Sequence, residues 1–335
     1  MLLKLLGVII IVTVVASLST NHNISSSRVK HLQCTAMETN EMNLVYQLRP
    51  MTKHFGAEVV GVDMSQVDLS DDGSFLRQLK KDLTNYRALL FRRQKLSGQR
   101  QVEISNALGT VESTFFKHPK SPHSDIFRVS NLEEEGCTFV GRSGWHVDGT
   151  FQMRPFMYQT MFFPSVAEGG DTFFMPLHEF YESLPEETRE RYDRLWMVTD
   201  RRQAPAHPLV YQHPFRNETT MLFHCGRHFV SGWFQDQVME DGTRHVNVEE
   251  LLPSRPIQEE LTNAIESRLD DLGLRMKWQQ GDFMINDNLG LAHYASEGTQ
   301  EDWQKVGLRI LHRTTIVGGA DTVPQKMDGR RSFKI

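Results

Sequence analysis

The chain has 335 residues, 39% of them hydrophobic, and a formal net charge of -5. That length suits one large domain or two small ones with a sizeable core, and the mild acidity gives no support for a nucleic-acid partner. Three scattered cysteines, Cys34, Cys137 and Cys225, with no CxxC pair, argue against a disulfide framework and a structural zinc site.

Residues 1–20, MLLKLLGVIIIVTVVASLST, place one lysine before an uncharged apolar run that ends in small residues. This is the layout of a secretory signal peptide, with a membrane anchor as the alternative. The run is shorter than the ~20 residues that span a bilayer. Sequons at Asn23 and Asn217 fit a secretory route, to the endoplasmic reticulum lumen or outside the cell. Any membrane tether would run through residues 1–20 alone. Residues 21–43 are polar and read as a linker.

A helix is predicted over residues 74–86, a short strand over 88–92, and a second helix over 99–108 that stops at Gly109. Short strands follow at 126–130, 157–163, 220–223, 275–279, 283–286 and 307–316. Helical insertions interrupt them at 177–195, restarted at Pro185, and at 256–272, ended by Gly273. This pattern predicts a mainly β fold with flanking helices, a jelly roll or barrel rather than a parallel α/β sheet. Residues 44–318 read as one domain and 319–335 as a polar tail.

GWHVDGTF (144–151) carries the first candidate chemistry. In a strand, residues two apart share a face, so His146 and Asp148 can reach one point. An imidazole and a carboxylate suit a divalent metal such as iron, although the tripeptide alone is more simply a satisfied structural histidine. His293, in NDNLGLAHYA (286–295), follows a predicted strand and a polar turn and offers a third donor. Two histidines and one carboxylate in this order form the facial triad of non-haem Fe(II) oxygenases, which leaves positions open for cosubstrate and O2.

GGDT (169–172) is an ordinary tight turn by itself, but the Thr172 hydroxyl could share an anion with an arginine. In GLRILHRTTI (307–316), Arg309 and Arg313 share a strand face with Leu311 between them. If that face lines a barrel, two buried guanidiniums each need an anion, and their forks suit a carboxylate or sulfonate. If that face is solvated, His312 points inward instead. Composition leaves both open.

Together these segments resemble the taurine dioxygenase (taurine catabolism) family of Fe(II)- and 2-oxoglutarate-dependent dioxygenases. The matching stretches are FGAEVVGVDMS (55–65), GWHVDGTF, GGDT, AHPLVYQHP (206–214), NDNLGLAHYA and LRILHRTTI (308–316), in family order over roughly residues 44–318. The resemblance implies a double-stranded β-helix core and Fe(II) held by His146, Asp148 and His293. It implies 2-oxoglutarate bound to that iron, with its far carboxylate on Arg309 and Thr172, and Arg313 on the anion of the substrate. The implied reaction uses O2, releases succinate and CO2, and hydroxylates a C–H bond of a small sulfonate, sulfate ester or carboxylate. The alternative is a catalytically silent relative that binds a carboxylate. Family members are usually dimers or tetramers, so a homo-oligomer is expected.

The sequence departs from taurine-specific members near the substrate. They carry an asparagine shortly before the first iron ligand, where this chain has Arg142, and a histidine before a proline that His118 matches only with a gap. Arg142, Lys117 and His118 are read as a more basic substrate pocket, which puts taurine itself in doubt.

Overall fold

The computed structural model describes residues 45–335 apart from 71–72, 113–116, 139, 141–143 and 201–204. The leader-like segment, the linker up to residue 43 and Arg142 therefore lie outside the described residues.

The chain begins with the antiparallel pair β1 (Gln47–Pro50) and β2 (Ala57–Val60). Next comes α1 (Ser74–Tyr86), with the bounds its pattern predicts: Phe75, Leu76, Leu79 and Leu83 recur at helical spacing and are all buried. It ends at Arg87, whose left-handed φ of 62° turns the chain into β3 (Ala88–Phe91). That reversal buries the Arg87 guanidinium against Glu179, at 2.5 and 2.6 Å. The N-terminus of α2 (Gly98–Leu108) is capped by the Ser97 hydroxyl, which accepts from the Arg100 N–H. The helix stops at Gly109, where a Cβ would stand 2.9 Å from Ile316.

β4 (Thr110–Val111), β5 (Phe127–Ser130), β6 (Phe156–Ser165) and β7 (Thr172–Pro176) follow. The predicted 177–195 helix is two short ones, α3 (Leu177–Glu182) and α4 (Glu186–Asp193), and Leu195 already belongs to β8 (Leu195–Thr199). Then come β9 (Pro205–Pro208), β10 (Val210–Gln212), β11 (Thr219–Met221) and a long hairpin of β12 (Val230–Val238) and β13 (Arg244–Pro253). α5 (Ser254–Glu266) and α6 (Leu269–Leu272) precede β14 (Leu274–Met276), β15 (Asp282–Asp287) and β16 (Leu291–Ala295). The short α7 (Trp303–Val306), β17 (Ile310–Val317) and β18 (Phe333–Lys334) complete the chain.

Eight strands form one sheet in the order β1-β2-β3-β15-β6-β17-β4, with β5 also on β17, and β14-β7-β16 form a second. Alternation along the central strands sorts their side chains into two cores. Tyr158, Phe162, Phe283, Ile285 and Ile316 pack with Leu79, Leu83 and Leu108 of the helices. Met161, Phe163, Met284 and Leu311 instead meet Phe174 of the second sheet and Trp278 in the barrel interior. The fold is the expected jelly roll with helices on its outer face.

The last segment departs from expectation. Residues 319–335 do not trail away as a polar tail. β18 pairs with β9 at the edge of a five-stranded sheet, β13-β12-β8-β9-β18. Arg330 makes a bidentate ion pair with buried Asp236, at 2.7 and 2.8 Å, and Lys326 is buried over the Trp196 ring. Lys326, Arg330 and Ser332 find polar partners outside the segment, which composition alone cannot show.

Candidate active site

His146 and Asp148 do not lie on a regular strand. His146 forms isolated bridges to His293 and to His224, and Asp148 opens the turn that follows. The first bridge joins two of the predicted donors directly. His146 N–H donates to His293 O at 3.1 Å, and His293 N–H returns to His146 O at 2.9 Å. Two residues far apart in sequence are thus fixed side by side by backbone alone. On the His224 side, Gly144 permits a close approach: its φ is 106°, a Cβ there would crowd the Cys225 carbonyl carbon at 3.2 Å, and Cys225 N–H donates to Trp145 O at 2.8 Å.

The three side chains converge. His146 Nε2 lies 3.6 Å from Asp148 Oδ1, and His293 Nε2 lies 3.6 Å from Asp148 Oδ2. One donor atom from each residue falls within 4.8 Å of the other two. The surroundings prepare them as ligands. His146 Nδ1 donates to Gly144 O at 2.7 Å, which turns the ring so that Nε2 faces Asp148. Burial, and next the neighbouring His146, pushes the His293 imidazole down to about 3, so it stays neutral. Burial alone would raise the Asp148 carboxyl, but Arg313, His146, His293 and His224 outweigh it and hold the group well below the usual carboxylate range. A neutral His293 imidazole and a second imidazole beside an ionised carboxylate make the donor set that Fe(II) takes.

Arg309, just before β17, and Arg313 within it are on the barrel side, with Leu311 between them in the interior core. Their face is not the solvated one. His312 is nonetheless also buried, on the opposite face against Phe162. Arg309 is 3% exposed, lies over the Phe163 ring at 5.3 Å, and its Nε has no hydrogen-bond partner. Burial lowers its guanidinium to about 10. Trp278 stacks on the same Phe163 ring at 4.0 Å and donates to the Thr172 hydroxyl at 3.0 Å. Gly170 belongs to this cradle, because a Cβ there would meet Arg309 Cδ at 3.1 Å. A buried guanidinium without an acid partner among the described residues fits the far carboxylate of 2-oxoglutarate.

Arg313 lies closer to the metal donors than expected. Its Nη1 donates to Asp148 Oδ2 at 2.6 Å, its guanidinium covers Phe127 at 5.1 Å, and its Nε is buried without a partner. His118 lies in the loop between β4 and β5. Its Nε2 is 3.0 Å from Glu133 O and its Nδ1 accepts from the Lys120 N–H, so both ring nitrogens serve its own loop. Lys117 likewise bonds Ser124 O within that loop. Trp145 is 2% exposed and packs on Tyr294, as a core residue beside the first donor.

Sequence reasoning missed four residues here. Gln159 of β6 donates its amide N–H to Asp148 Oδ2. Asn288 brackets the Asp148 main chain, accepting from its N–H at 3.0 Å and donating to its O at 2.9 Å. His224 stacks between His146 and Phe229, at 4.7 and 3.9 Å. His207, fully buried, links Thr150 O at 2.9 Å to the Ser332 hydroxyl at 2.7 Å, tying the turn after Asp148 to the C-terminal segment. Gln159 carried a usable signal. A lone amide inside FMYQTMFF must find a buried partner.

The profile of the family described as "Taurine catabolism dioxygenase TauD, TfdA family" matches residues 47–315. The chain belongs to this family. A TauD-type enzyme is an oxidoreductase that uses Fe(II), 2-oxoglutarate and O2, and His146, Asp148 and His293 supply a donor set for the iron. Among relatives of known activity, the chain is 27% identical over 327 residues to an alpha-ketoglutarate-dependent sulfate ester dioxygenase of Pseudomonas putida, covering 89% of this chain and 97% of that one. It is 24% identical over 324 residues to an alkylsulfatase of Acinetobacter baylyi, covering 86% and 90%. Among solved structures, a taurine dioxygenase from Burkholderia xenovorans superposes with a TM-score of 0.65 at 26% identity, covering 87% of this chain and 96% of that one.

Proposed function

We propose that this TauD-family enzyme hydroxylates a C–H bond of a small organic anion, with a sulfate ester or sulfonate ahead of a carboxylate, and releases succinate and CO2. The observation that carries this reading is the convergence of the His146–Asp148–His293 donors, the buried Arg309 and the half-buried Arg313 on one barrel interior. When bound, Fe(II) supplies the activation of 2-oxoglutarate and O2 for C–H oxidation. The chain's own residues bind and orient. Arg309 and Thr172 hold the far carboxylate of 2-oxoglutarate, with Trp278 fixing the threonine hydroxyl. Arg313, already on a carboxylate, turns the rest of its fork to the substrate anion. Phe127, Phe163 and Leu311 line the wall and keep water out. A divalent cation, two guanidiniums and one carboxylate leave excess positive charge, which suits two anionic ligands together.

Arg142 is proposed as a second contact to the substrate anion, and His118 as a brace of its loop rather than a ligand. A secretory route is proposed on residues 1–20. Asn217 is exposed between β10 and β11, where a glycan could be attached. A mobility shift on endoglycosidase treatment of protein from secretory cells, absent in Asn217→Gln, supports that route, and no shift in either removes this support.

The deciding experiment is anaerobic titration with Fe(II) and 2-oxoglutarate, followed by the visible metal-to-ligand charge-transfer band. A band in the parent and none in His146→Ala is expected. Succinate release is then scored across alkyl sulfates, sulfonates and carboxylates. A folded parent with no band refutes the cofactor site. A band without anion-stimulated succinate release refutes the substrate class.

A further inference from the structure

β13 ends the five-stranded sheet, and among the described residues no strand covers its outer edge. Edge strands are normally blunted by shortness, charged side chains, bulges or an internal proline, and the charges and bulge of β13 guard it against unspecific pairing but not against a partner whose charges match. β13 is ten residues long, has no lysine, and reaches Pro253 only at its end. Val248 is 55% exposed and Leu251 48%.

Its sequence is self-complementary. Residues 244–250 read Arg-His-Val-Asn-Val-Glu-Glu, with the basic pair and the acidic pair at equal distances from Asn247. The turn bond from Met239 N–H to Thr243 O sets the hydrogen-bonding phase of the hairpin. His245 and Asn247 then bond toward β12, and the N–H and C=O groups of Arg244 and Val246 point outward. Antiparallel self-pairing must therefore be centred on a residue rather than between two. Centred on Val246, Arg244 would meet Val248. Centred on Val248, Val246 would meet Glu250. Only the register centred on Asn247 opposes Arg244 to Glu250, His245 to Glu249 and Val246 to Val248. The register with β12 also breaks after Asn247, so residues 248–251 stand opposite Phe234 alone and leave the β12 ladder. Arg244 already bonds half-exposed Asp193 at 2.6 Å, and its fork has donors to spare.

We propose that β13 pairs with β13 of a second copy of this chain about a two-fold axis at Asn247, joining two five-stranded sheets into one. The interface is isologous and closes at two subunits. Backbone bonds add the strand, the two Val246–Val248 pairs dehydrate its centre, and the charge pairs fix its register.

Asn247→Cys in the full-length chain tests the axis directly, because it places two thiols opposite each other at a non-hydrogen-bonded pair. Under mild oxidant, Asn247→Cys is expected to become a covalent dimer, while the parent and the hairpin-tip variant Glu240→Cys do not. In sedimentation equilibrium, Val248→Pro is expected to raise the dimer dissociation constant at least about tenfold, through the lost edge donor and valine pair. A monomeric parent at tens of micromolar overturns the proposal. So does a dimeric parent whose Asn247→Cys form fails to cross-link, since the two copies then meet elsewhere.

Discussion

Gln159 occupies an inward position on β6, opposite Asn286 in the register with β15, where an apolar side chain would pack as well. Its bond to Asp148 Oδ2, beside that from Arg313, restricts how the carboxylate can turn. Gln159→Leu should leave the unfolding midpoint nearly unchanged yet weaken Mn(II) or Fe(II) binding by about 10- to 100-fold. Isothermal titration reads this, and unaltered affinity would reduce the glutamine to packing. The two arginines should separate in the same way. Arg309→Ala is expected to raise the 2-oxoglutarate dissociation constant with little effect on substrate. Arg313→Ala should raise the substrate KM more than it affects 2-oxoglutarate. Equal losses in both ligands would show that the division of labour is wrong.

Among the elements, the C-terminal segment matters most for stability. Removing residues 319–335 strips Arg330 from Asp236, whose side chain is fully buried. An uncompensated buried charge costs about 3–5 kcal/mol, so the truncated chain should show a clear fall in its urea midpoint. Arg330→Met should reproduce most of that fall. This segment was misread because Lys326 and Arg330 find their partners, Asp193 and Asp236, elsewhere in the chain, and composition cannot show long-range pairing. β8 was misread for a related reason. LWMVT follows a helical stretch without a break, and only its pairing with β12 makes it a strand. β12 and β13 were passed over because their outer faces are polar and their alternation is broken by a register shift. The elements read correctly carried local signals. α1 has its apolar stripe, α2 its serine cap, and β15 and β17 their apolar runs. The metal donors were legible because residue type and order are nearly sufficient. Their supports, Gln159, Asn288 and His224, are defined by three-dimensional proximity and left only faint marks.

For the molecule as a whole, pH should act through buried histidines. Burial pushes His207 down to about 4, while its carbonyl partner Thr150 opposes the shift only in part. The unfolded chain takes up that proton near pH 6.5. Above about 6.5 neither state is protonated and there is no penalty. As pH falls from there toward 4 the unfolded state binds more proton, so stability declines, by about 3 kcal/mol in all for this one group. The urea midpoint of the parent should therefore drop between pH 7 and pH 5. His207→Gln, less stable at pH 7, should show a shallower drop. An unchanged slope would mean that His207 is not the group that titrates.

The contact between Arg313 and Asp148 bears on how this enzyme is made. Its first two metal donors leave the ribosome long before His293, and Arg313 comes later still. The donor set is therefore complete only after residue 293 has folded against residue 146. In the interval the arginine serves as a resident counter-ion, and the barrel can close around a carboxylate whose charge is already answered. A cation held by these donors would compete with Arg313 for the same carboxylate, and the guanidinium donors so freed would be available to an organic anion.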